Sequence, residues 1–86
     1  MQVIHKYQIP SGFGTTKVPV PETHTVLDIQ LQDSFIVMWC LVDTSTPYYA
    51  HVHVSIVPTG REIFEDIGKH VSTWQQDGLV YHAFVQ

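Results

Sequence analysis

A chain of 86 residues makes one domain, residues 1–86, at the small end of what buries a core unaided, and chains this short commonly lean on disulfides, metal or partner subunits. The single cysteine, Cys40, excludes an intrachain disulfide, and the longest apolar run, eight residues from Phe35 to Val42, excludes a membrane-spanning helix, which needs roughly 20. Four Lys and Arg against eight Asp and Glu give a net charge of −4, which excludes long nucleic acid as a partner but not a small anion held by one or two placed cations.

The chain opens with "VIHKYQI" (Val3–Ile9), which alternates apolar and polar residues and stops at Pro10, as a strand closed by a breaker does. This start is not a basic-then-apolar leader, and Cys40 sits in an apolar run as a small buried hydrophobe. Both fit a reducing, cytoplasmic compartment. "PSGFGTT" follows as a Gly/Ser loop. "KVPVPE" is extended, and Pro19 and Pro21 remove two ladder donors, which confines it to an edge or a crossing segment. "TVLDIQLQ" (Thr25–Gln32) sets Leu27, Ile29 and Leu31 against Asp28, Gln30 and Gln32, so one face is wet.

After the turn "QDS", Phe35–Val42 is apolar on both faces and reads as a central strand covered on two sides. Tyr48–Val57 alternates Val52, Val54 and Ile56 with His51, His53 and Ser55, and Pro58-Thr59-Gly60 breaks it. In 61–76, Ile63, Phe64, Ile67, Val71 and Trp74 fall at helical spacing, yet Gly68 interrupts them. Loop and then strand fits better, with one short helix within 61–70 as the alternative. Asp77-Gly78 signals a hairpin into the closing strand Leu79–Gln86.

The fold class is therefore all-β, a small antiparallel sheet, sandwich or barrel. One small sheet covers only one side of Phe35–Val42, so completion by a homo-oligomer is expected.

Several stretches in series resemble a family of short phage and prophage proteins known only as a domain of unknown function. They are "IHKYQIP" at 4–10, "VPVP" at 18–21, "IQLQ" at 29–32, "MWCLVD" at 38–43, "PTG" at 58–60, "KHVSTW" at 69–74 and "LVYHAFVQ" at 79–86. Ser72 stands where the family usually has glycine, and His51 and His53 lie on a strand often basic in relatives. The resemblance implies a phage origin and carries no enzymology. It also implies a class of small phage β proteins that sequester nucleotide second messengers of antiviral defence.

Among the residues, His51 and His53 have the spacing to share a metal, but no CxxC or HExxH accompanies them, and no metal or cofactor is assigned. "HVS" occurs at 53–55 and 70–72. Two such strands facing one cleft would suit a two-histidine hydrolase with His53 and His70 as acid and base. His82, beside Val80 and Phe84 on one face, reads as a hydrogen-bonded core histidine, Trp39 as core, and Asp43 as a turn cap. The most ligand-like surface combines Tyr48 and Tyr49 for stacking, His51 and His53 as donors, and the Thr59-Gly60-Arg61 turn for phosphate. The expectation is a non-enzymatic binder of a small nucleotide. A hydrolase of the same signal and a phage interaction protein gripping a host protein are the alternatives.

Overall fold

The alternating segments become seven strands in a computed structural model that describes residues 1–10 and 14–86. They are β1 (Gln2–Ile9), β2 (Gly14–Val20), β3 (His24–Gln32), β4 (Phe35–Asp43), β5 (Ala50–Pro58), β6 (Lys69–Gln76) and β7 (Leu79–Val85). A three-stranded sheet has the order β1-β4-β3 and a four-stranded sheet the order β2-β5-β7-β6, with every pairing antiparallel. The fold is all-β, as the periodicity implies, and the described residues include no helix. The smallest dimension, 17 Å, suits two sheets stacked about 10 Å apart.

Parity decides what faces the core. Ile36, Met38, Cys40 and Val42 of β4 meet Val52, Val54 and Ile56 of β5, with Ile9, Val18, Val20, Ile29, Trp74 and Ala83 filling the layer between. Cys40 is fully buried, and burial pushes its thiol up to about 11, away from nucleophilic chemistry. Across the edges, Ser72 Oγ donates to the Ile29 carbonyl and ties β6 to β3. β2 is an edge, as Pro19 within it requires, and Thr15 and Thr16 belong to it rather than to the expected loop. Of that loop, residues 11–13 lie outside the described residues.

Two tight turns set the registers. Asp77 and Gly78, at φ of 52° and 80°, join Gln76 to Leu79, and Asp33 and Ser34, at 50° and 72°, join Gln32 to Phe35. Both are two-residue turns whose positive φ matches the strand twist.

Loop and then strand forms at 61–76, as the sequence favours, and two other expectations are corrected. Residues 61–68 form no helix. Gly68 sits at φ +93°, outside helical space, where an added Cβ would run into the Val85 carbonyl oxygen, and the strand begins at Lys69. In β3 a register shift between Val26 and Asp28 turns Leu27 outward, so Val26 rather than Leu27 shares the inner face with Ile29 and Leu31. Trp39 is half-buried on the outer face of its sheet, and the tryptophan of the core is Trp74, stacked on Tyr81 at 6.3 Å.

Candidate functional site

The outer face of the four-stranded sheet is built from four strands at matching levels. Ser55 of β5 pairs with Thr15 of β2 on one side and Phe84 of β7 on the other, and Phe84 pairs in turn with His70 of β6. One level along, Val57 sits beside His82, and His82 beside Thr73. Segment 61–67 runs over the β2–β5 half of this face and leaves a cleft of about 170 Å³. Thr15, Ser55 and Val57 line it from the sheet, and Arg61, Phe64 and Ile67 from the segment. The cover explains why Ser55 is buried although it shares a strand face with exposed His51 and His53. Its hydroxyl is satisfied by Thr15 Oγ1 at 2.7 Å. Glu62 and Glu65 also line the cleft, so its charge is mixed.

Beside the cleft runs a chain of four side chains. Thr59 Oγ1 donates to the Val80 carbonyl at 3.2 Å, so its oxygen accepts from His82 Nε2 at 2.8 Å. That assignment makes His82 the Nε2–H tautomer, and its Nδ1 accepts from Thr73 Oγ1 at 3.0 Å. Thr73 Oγ1 then accepts from His70 Nε2 at 2.9 Å. One carbonyl thus fixes the direction of every hydrogen bond in the series. His70 also packs edge-on against Phe84, with ring centroids 5.4 Å apart. His82 is hydrogen-bonded, as its setting implies, but it is half-buried on the outer face rather than in the core.

The seven residues expected to form the site do not converge. Tyr48 and Tyr49 precede β5, and Thr59, Gly60 and Arg61 follow it, so a nine-residue strand, about 26 Å end to end, separates the two groups. The Tyr48 hydroxyl lies 3.4 Å from both the Tyr7 hydroxyl and His5 Nδ1, and Tyr49 is exposed. Burial and the Tyr48 hydroxyl raise the pKa of Tyr7 above the ordinary phenol value. His51 and His53 point outward from the first half of β5, opposite Pro19 and Lys17. In the turn, the Arg61 amide donates to the Pro58 carbonyl and the Thr59 amide to the Val80 carbonyl, so these two are not free phosphate donors. Of the seven, Arg61 reaches the cleft and Thr59 the hydrogen-bonded chain.

The two "HVS" motifs do not face one cleft. β7 lies between β5 and β6, and His70 is level with Ser55, so His53 and His70 are two strand spacings across and two residues along, about 12 Å apart. A register shift between His70 and Ser72 also sends Ser72 inward, while His70 stays outside. The histidine that His70 does meet is His82, with ring centroids 6.2 Å apart. Thr15 and Thr73 went unnoticed in the sequence. Thr15 sits in an apparent loop, and Thr73 joins the face of His70 only because the irregularity changes the strand's parity.

A family model for a domain of unknown function, DUF7352, matches residues 1–86. The chain belongs to that family. Neither a curated protein nor a solved structure matches it. As a DUF7352 protein it has its chemistry to be argued from its own residues, and the described ones include no group of three or more His, Cys, Asp or Glu placed to hold a metal. No described helix is long and apolar enough to cross a membrane.

Proposed function

We propose that this protein is a non-enzymatic binder of a small nucleotide-class ligand, received in the cleft over β5. The observation that carries the reading is that cleft: a guanidinium (Arg61), a hydroxyl pair (Thr15 and Ser55) and an exposed ring (Phe64) line one concavity on a sheet face. Arg61 suits a phosphate oxygen and Phe64 a base, while Glu62 and Glu65 suit ribose hydroxyls as acceptors. Two carboxylates beside one guanidinium disfavour a dense polyphosphate. A ligand with one or two phosphates per nucleoside fits better, such as a cyclic oligonucleotide or an ADP-ribose derivative. The cleft is smaller than a typical ligand pocket, so the ligand extends over the neighbouring His82 and Phe84. Joined to the phage resemblance, this makes the protein a sponge that sequesters a defence signal in the infected cell.

A thermal-shift screen against cyclic dinucleotides, cyclic trinucleotides and ADP-ribose derivatives tests the reading. A ligand at ~100-fold its Kd adds about 2.7 kcal/mol, several degrees for a chain of this size. The shift disappears in Arg61→Ala, and the ligand returns intact when the complex is denatured. A flat screen removes the proposal. Recovery of a hydrolysed product replaces sequestration with turnover, and the first variants to make are then at His70 and His82, the pair joined through Thr73, rather than at His53.

A further inference from the structure

The other outer face has a different character. Along β4, Phe35, Val37, Trp39 and Leu41 alternate outward from the three-stranded sheet, and Ile4 of β1 lies level with Leu41. Phe35 and Ile4 are 54% and 60% exposed. Val37 is buried on this same face, where Lys6, Gln8, Gln32 and Phe35 share a cleft with it and Lys6 Nζ reaches across to Gln32 Oε1 at 3.2 Å. Lys6 of β1 and Asp28 of β3 fall at one level and flank Trp39 on either side, while Asp33 and Asp43 lie at the two ends of β4.

We propose that a second copy of this chain covers this face, β4 on β4, about a two-fold axis parallel to β4. The charges select the axis. Rotation about a line parallel to the strands exchanges left for right and keeps every level, so Lys6 of each copy meets Asp28 of its partner and Trp39 meets Trp39. Rotation about a line across the strands at Trp39 sets Lys6 on Lys6 and Asp28 on Asp28, which costs energy. On the parallel axis Asp43 approaches its own copy, but it already holds the Met1 ammonium at 3.1 Å and accepts from Ser45. The footprint of three strands of eight or nine residues is about 14 by 30 Å. That is below the ~800 Å² per partner of a standard interface, so the dimer is weak and concentration-dependent. It stands or falls independently of the ligand cleft, which lies on the opposite sheet.

Sedimentation equilibrium from ~10 μM to ~1 mM, at low and high salt, tests it. The wild-type chain dimerises, less tightly at high salt. Lys6→Glu and Asp28→Asn each weaken association, the charge reversal by about tenfold or more. The swap Lys6→Glu/Asp28→Lys restores it. Lys6 is exposed, and Asp28→Asn keeps an acceptor for the Ile29 amide, so both single variants fold. If circular dichroism shows the swap unfolded, loss of the salt dependence in Lys6→Gln/Asp28→Asn takes its place. A monomer at ~1 mM overturns the proposal, and so does association that ignores Lys6→Glu, or a monomer that binds lipid vesicles through Trp39.

Discussion

The two outer faces of this sandwich start from nearly the same backbone and end with opposite chemistry. β4 and β5 are both nine-residue strands with a full apolar row toward the shared core. On the reverse side β4 presents Phe35, Val37, Trp39 and Leu41, whereas β5 presents His51, His53, Ser55 and Val57. On the two proposals above, the difference follows from what each face would meet. A flat apolar row flanked by one lysine and one aspartate suits another flat surface. A polar row partly roofed by residues 61–67, with the Ser55 hydroxyl already hydrogen-bonded and the linked imidazoles of His70 and His82 on the neighbouring strands, suits a small polar molecule.

The sharpest way to break the contrast is to lift the roof. Gly68 ends the covering segment at φ +93°, and a methyl group there collides with the Val85 carbonyl oxygen. Backbone is the obstacle, so no side-chain rotamer relieves it. Gly68→Ala is expected to destabilise the chain by more than ~1 kcal/mol, measured by urea unfolding, and to separate residues 61–67 from β5. Ser55 amide exchange then accelerates, while amides of β4 keep their protection relative to global stability. Equal acceleration in both sheets would mean that the roof and the core are one cooperative unit.

Much of this architecture is legible in the residues. The alternation, Pro19 of the edge strand, the Asp77-Gly78 turn and the doubly apolar β4 each place an element correctly. The two strand irregularities are not legible, because a single added residue leaves no compositional mark yet inverts the parity beyond it. That is why Leu27 faces out, and why Thr73 rather than Ser72 joins His70. The site was legible only as a face. Exposed His51 and His53 follow from period two, but the cleft depends on an irregular segment folding back over Ser55. The helical spacing of Ile63, Phe64 and Ile67 is coincidental. The first two are exposed, and only Ile67 is half-buried.

A milder test reaches the hydrogen-bonded chain. Thr73→Val keeps the shape of the side chain and removes the hydroxyl that both serves His82 Nδ1 and receives His70 Nε2. Both imidazoles stay partly accessible to water, so the expected loss is about 0.5–1 kcal/mol. The ring NMR signals should report more than the stability does. His82 Nδ1 loses its only protein donor among the described residues, so its signal shifts, while the Thr59 bond keeps the proton on Nε2. A change of tautomer in this variant would show that Thr73, and not Thr59 alone, sets it.

The smallest effect concerns the other sheet and is a matter of pH. Asp43, at the end of β4, accepts from the Ser45 hydroxyl at 2.6 Å, the Ser45 amide at 3.0 Å and the Met1 ammonium at 3.1 Å. These contacts, the hydroxyl first, hold its carboxyl down at about 2. An unfolded aspartate titrates near ~3.9, so the folded state binds the proton more weakly. The stabilisation is fully present above about pH 4 and is lost as pH falls through about 2. Asp43→Asn should be slightly less stable than wild type at neutral pH, and the two unfolding curves should converge in that acid window. Other carboxylates contribute equally to both proteins and drop out of the difference. Curves that stay parallel down to pH 2 would mean that the turn is held by the Ser45 and Thr46 contacts whatever the charge on Asp43.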